Sequence, residues 1–114
     1  MLTFNDHAAV YLRTGATDMR KSINGLAAIV QNEMKINPFE PGYYVFCNKT
    51  RRLLKLLYWD NTGFALWYKR LEQYKFPWPH AEEEVKRITA EQIRWLLSGI
   101  DFFSAHKKLH FSVV

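Results

Sequence analysis

The chain has 114 residues, 48% hydrophobic and 24% charged, which excludes a disordered tail and fits one domain, residues 1–114, with a core that needs no staples. Its net charge is +5 and its pI about 9.4, a balance that suits an anionic partner without demanding one. One cysteine, Cys47, excludes an internal disulfide framework, and the start MLTFNDHAAVYLRTG lacks the segments of a secretory signal. No apolar run approaches the roughly 20 residues of a membrane span, so a cytoplasmic protein without membrane contact is expected.

In chain order, Ala8 to Leu12 reads as a short strand ended by Thr14-Gly15. Thr17 has the character of a helix N-cap with Asp18 in the first turn. Met19, Ile23, Leu26, Ala27, Val30 and Met34 then recur at spacings of three and four, which predicts an amphipathic helix. Its length would be roughly four to five turns. Asn37-Pro38 and Pro41-Gly42 mark a loop.

Tyr43 to Asn48, Leu53 to Asp60 and Phe64 to Glu72 are β-rich runs. Lys49 to Arg52 forms the tip of one hairpin, and Asn61-Thr62-Gly63 the turn of the next, with Gly63 in the left-handed position. Phe76-Pro77-Trp78-Pro79 leaves the sheet, because proline donates nothing to a ladder, and Glu84 to Ile88 is a candidate further strand. Thr89 and Gln92 form a capping box for a last helix with Ile93, Leu96, Leu97 and Ile100 on its apolar side and Gly99 as its C-cap. The expected fold class is α+β: an antiparallel β-meander of three to five strands packed with two main helices.

Pairing Asp60 with Phe64 assigns Leu53, Lys55, Leu57, Trp59, Ala65, Trp67, Lys69 and Leu71 to one face. Lys55 then faces Lys69, an arrangement of like charges that needs an anion or an acidic partner between them. A one-residue slip would put Arg70 in place of Lys69. Both faces are largely apolar, so each is covered either by a helix or by a partner.

The chemistry concentrates in Lys49 to Pro79, with seven basic residues against two acidic ones. Tyr58, Trp59, Phe64, Trp67, Tyr68, Tyr74, Phe76 and Trp78 lie among them. Cations spaced along aromatic strands suit a surface that holds phosphates and stacks on bases, but the same residues also describe a sheet that buries its rings and solvates its lysines. The candidate nucleic-acid contacts are Lys49, Arg51, Arg52, Lys55, Lys69 and Arg70, with Arg20 and Lys21 adding to them. Trp59, Trp67 and Phe103 are the candidate partner-binding or stacking rings.

Metal-dependent nuclease chemistry would need carboxylates drawn from Asp18, Asp60, Glu72, Glu84 and Asp101 to converge, and Glu84-Val85-Lys86 matches only half of one nuclease signature. His7, His80, His106 and His110 have no metal-ligand spacing with carboxylates or thiols, so no catalytic residue, metal or cofactor is expected.

TGATDMRKSINGLA (Thr14 to Ala27), RRLLKLLYWDNTGFALWYKRLEQYKFPWP (Arg51 to Pro79) and TAEQIRWLLSGID (Thr89 to Asp101) together resemble the TnpB-type accessory protein of the insertion sequence 66 family. The RNA-guided nuclease that shares the TnpB name is far longer and different. The resemblance covers nearly the whole chain and implies a small protein encoded beside the transposase of a bacterial mobile element, supporting transposition while a separate DDE transposase performs strand transfer. It brings no catalytic residues with it. The expected function is therefore a non-catalytic accessory protein that binds DNA, with RNA as the other candidate, the transposase, or both. The alternative is a protein–protein interaction module, docking the transposase or a second copy without direct nucleic-acid binding. Nothing in the pattern sets an oligomeric state.

Overall fold

The structure, a computed structural model, describes residues 4–80 and 83–101. It runs β1 (Val10–Arg13), α1 (Ile23–Asn32), β2 (Tyr43–Cys47), β3 (Leu53–Trp59), β4 (Phe64–Arg70), β5 (Val85–Ile88) and α2 (Ala90–Leu97). The crossover through α1 returns the chain to the end of the sheet where β1 began, so β1 and β2 lie parallel, with Val10 beside Tyr43 and Leu12 beside Val45. β2, β3 and β4 then follow one another antiparallel, and β5 pairs antiparallel with the outer edge of β1. The order is β4-β3-β2-β1-β5. This corrects the expected antiparallel sheet: the class is α+β, but the sheet is mixed, because a strand–helix–strand connection cannot close as a hairpin.

Helices cover both faces. On one, Leu26, Ile29, Val30 and Met34 of α1 and the residues after it pack on Tyr44, Phe46 and Leu57. On the other, Ile93 and Leu96 of α2 join Phe76 and Trp78 over Leu12, Val45, Leu54 and Leu56. Each fully buried large side chain contributes about 1.5–3 kcal/mol of burial. The two apolar faces legible in β3 and β4 are thus satisfied within the chain.

α1 is shorter than its apolar stripe predicts. Asp18 is not in its first turn: the carboxylate accepts the Arg20 backbone N–H at 2.9 Å, and Lys21 N–H bonds the Asp18 carbonyl at 3.2 Å. This side-chain-closed turn competes with the helix and delays its start to Ile23, with Ser22 as N-cap. α2 keeps its full capping box, Thr89 with Gln92. It ends in a Schellman motif in which Gly99, at φ 83°, and Ile100 donate to Leu96 and Trp95 carbonyls.

The β3–β4 turn corrects the register. Trp59 pairs with Phe64, Lys55 with Tyr68, Leu54 with Lys69 and Leu53 with Arg70. Asp60 leaves the ladder because its carboxylate accepts the Thr62 and Gly63 N–H groups and the Thr62 hydroxyl, and Asn61, not Gly63, takes the positive φ of 80°. The expected facing lysine pair is therefore absent. Lys55 and Arg70 share the α1 face, and Lys69 points to the α2 face.

Candidate nucleic-acid interface

The β2–β3 hairpin tip is built by Asn48, whose side-chain oxygen accepts the Arg52 and Leu53 N–H groups at 3.0 Å each. Arg51 sits at φ 61°. Residues 71–76 are strapped over this tip by Leu71 N–H to the Arg52 carbonyl and Phe76 N–H to the Arg51 carbonyl, both 2.7 Å. The neighbouring loop is tied in by Thr17 N–H to the Cys47 carbonyl at 2.8 Å. Three cation-bearing segments distant in sequence therefore meet at one end of the sheet.

Arg13, which the sequence reading passed over, holds this end together. Its guanidinium contacts Glu33 at 2.9 Å, Glu84 at 3.4 Å and the Thr17 hydroxyl at 3.4 Å, joining β1 to the end of α1 and to the chain entering β5. Trp78 donates its indole N–H to the Arg13 and Gly15 carbonyls. The signal for Arg13 was its place at the end of an apolar strand, which is weak on its own.

The candidate cations divide into two kinds. The Lys55 ammonium donates to the Met19 and Lys21 carbonyls at 2.8 and 3.1 Å, and Lys69 donates to the Leu97 carbonyl at 3.2 Å, where the C-terminal dipole of α2 favours a positive charge. Both lysines tie the sheet to what covers it, on opposite faces. Arg52 donates to the Glu72 carbonyl at 3.0 Å and Arg70 pairs with the Glu72 carboxylate at 2.9 Å. Arg20 is 92% exposed and bonds Asp18 at 2.8 Å. Through the Arg20 side-chain and backbone hydrogen bonds, the Asp18 carboxyl is held down to about 2. Lys21, Lys49 and Arg51 form no ion pair among the described residues.

Arg20 and Lys49 line one open groove of ≈ 440 Å³ with Thr17, Asp18, Met19, Asn48 and Thr50. Lys21 follows Arg20 in the same turn, where its carbonyl shares the Lys55 ammonium with that of Met19. Arg20 and Lys49 thus share a groove at the hairpin-tip end, with Arg51 and Arg52 in the tip itself and Arg70 placed at the same end by its pairing with Leu53, whereas Lys69 lies on the opposite face.

The rings lie elsewhere. Trp59 is half-buried at the opposite end, edge-to-face with Phe39 and Phe64 at 5.0 Å each. Trp67 packs against the α2-side core. Phe103, like the tail from Phe102 and His106 and His110, lies outside the described residues. The exposed rings at the cationic end are Tyr68 and Tyr74, which strand and turn positions alone did not distinguish from their buried neighbours.

The candidate carboxylates are dispersed: Asp18 on Arg20, Asp60 in its turn at the far end, Glu72 on Arg70 and Glu84 on Arg13. Among the described residues no three metal-ligating side chains converge. Burial pushes the Cys47 thiol up to about 12, which leaves it protonated and unreactive at neutral pH. No described helix is long and apolar enough to cross a membrane.

The described residues thus form a small α+β protein with a basic hairpin end. A family model described as IS66 Orf2 like protein matches residues 8–107, and the chain belongs to this transposition-associated family of insertion sequence 66 elements. It is 39% identical over 102 residues to the uncharacterized protein y4hO of Sinorhizobium fredii, covering 90% of this chain and 89% of that one. A second uncharacterized protein of the same organism, y4jC, is 29% identical over 99 residues, covering 87% of this chain and 85% of the relative. No solved structure matches.

Proposed function

We propose that this protein is a non-catalytic, cytoplasmic accessory factor in transposition that binds nucleic acid through the hairpin-tip end of its sheet. The observation that carries the reading is the meeting of Arg20, Lys21, Lys49, Arg51, Arg52 and Arg70 from three chain segments, with Lys21, Lys49 and Arg51 free of ion pairs among the described residues. Cations that are not already neutralised displace counterions from phosphates and supply most of a sequence-independent affinity. Lys55 and Lys69 act indirectly in this reading, by fixing the 19–21 turn and the end of α2.

The test is a DNA titration at rising salt. Binding should weaken log-linearly, by about 0.9 in slope per phosphate engaged on duplex, with little preference among sequences. Absence of binding at low salt would sink the reading.

Family membership supports the transposase of the same element as a protein partner. A second reading, docking without nucleic acid, draws on Phe39, which is 56% exposed beside Trp59 and Phe64 at the end of the sheet away from the hairpin tip. Co-purification with the transposase that survives high salt and nuclease, and is lost in Phe39→Ala, favours that reading.

A further inference from the structure

The two most exposed aromatic rings among the described residues both stand at the cationic end: Tyr74, 73% exposed, and Tyr68, 65% exposed. Tyr68 is in β4 on the α1 face, one strand out from Lys55, whose ammonium is fixed under the Met19 and Lys21 carbonyls. α1 begins at Ile23 and packs over Leu57, Phe64 and Leu66, so the face beyond them carries the 19–21 turn and leaves Tyr68 open. Arg70 follows two residues on, with its side chain on the same face. Tyr74 lies in the arch between the two backbone straps that tie residues 71 and 76 to Arg52 and Arg51, with exposed Lys75 next to it.

A ring that serves the core is covered, as Phe76 and Trp78 are. A ring held on a strand or a strapped arch, open to solvent and flanked by cations, is what stacks an unpaired base while its neighbours hold the phosphates. Duplex DNA offers no such face, because its bases are already stacked on one another.

We propose that the nucleic acid taken by this end of the protein is single-stranded, with bases stacked on Tyr68 and Tyr74. The proposal rests on the phosphate-binding reading above and narrows it to a substrate class.

The experiment compares oligo(dT), oligo(U) and a duplex, each about 16 nucleotides long, which spans the site sizes of such surfaces. Affinities are measured at one moderate salt concentration for the wild type, Tyr68→Thr, Tyr74→Ala, the double variant, and Tyr68→Phe with Tyr74→Phe. Threonine keeps the strand propensity of β4, and the phenylalanine variants keep the rings, so folding and stacking are separated. A single strand should bind more tightly than the duplex. Each ring lost should weaken single-strand binding about tenfold, the phenylalanine variants should bind as the wild type, and duplex affinity should not move. Preference between oligo(dT) and oligo(U) reports whether the strand is DNA or RNA, and ring dependence with either supports the proposal. Duplex bound as tightly as single strand, or ring variants that bind single strands normally, overturns the proposal and leaves phosphate binding standing. No binding by any of the three overturns both.

Discussion

The two ends of the sheet are made from the same sequence stretch and carry opposite chemistry. At the hairpin-tip end stand Lys49, Arg51, Arg52 and Arg70, joined by Arg20 and Lys21; at the other, Trp59 stacks edge-on with Phe39 and Phe64 beside the Asp60 turn. Between Lys49 and Pro79 cations and rings alternate in sequence, but two consecutive hairpins sort them in space, because antiparallel strands bring 49–52 and 70 together and 59 with 64. Composition along a chain therefore overstates how closely rings and charges mix on a folded surface. Tyr68 and Tyr74 are the aromatic residues that stay exposed with the cations.

Perturbing the ends separately should expose the difference. Trp59→Ala should cost about 3 kcal/mol in urea denaturation through lost aromatic packing while leaving oligonucleotide affinity unchanged. Loss of affinity in the folded variant would move the binding site to the wrong end. Lys55→Met strips two carbonyls of their donor and should cost about 1–3 kcal/mol with an unaltered salt slope. Lys49→Ala should do the reverse, shifting stability by no more than about 0.5 kcal/mol and lowering the salt slope by about 0.9.

A smaller effect concerns the Asp18 turn. With its carboxyl at about 2, below the usual 3.8, Asp18 contributes stability that is present above the ordinary value and is lost as pH falls through the lower one. In Arg20→Ala the Asp18 titration, followed by side-chain carboxyl NMR, should move up toward the ordinary value. The smallest effect is at Cys47: its thiol should resist alkylation at neutral pH until the protein unfolds.

Much of the fold was legible. The capping box at Thr89 and Gln92 is a local device with a fixed spacing, and it stands as read. The parallel pairing of β1 with β2 was legible only in part: parallel neighbours need a crossover of a dozen or more residues, which the segment holding α1 supplies, but the same strand–helix–strand order also suits strands that run antiparallel. Register was not legible, because it turned on whether Asp60 joins the ladder or bonds the turn, and each choice moves every side chain of β4 to the other face. The start of α1 failed for a related reason: the Asp18 side chain serves a turn as well as it serves a helix terminus. At the site, residue type identified the cations, but only tertiary contacts separate Lys55 and Lys69, spent on carbonyls, from Lys21, Lys49 and Arg51.

Backbone amide shift mapping during titration with an oligonucleotide tests the central claim most directly. The account predicts perturbations concentrated at residues 18–21, 48–52 and 68–75. Shifts confined to Phe39, Trp59 and Phe64, or none at low salt, would contradict it.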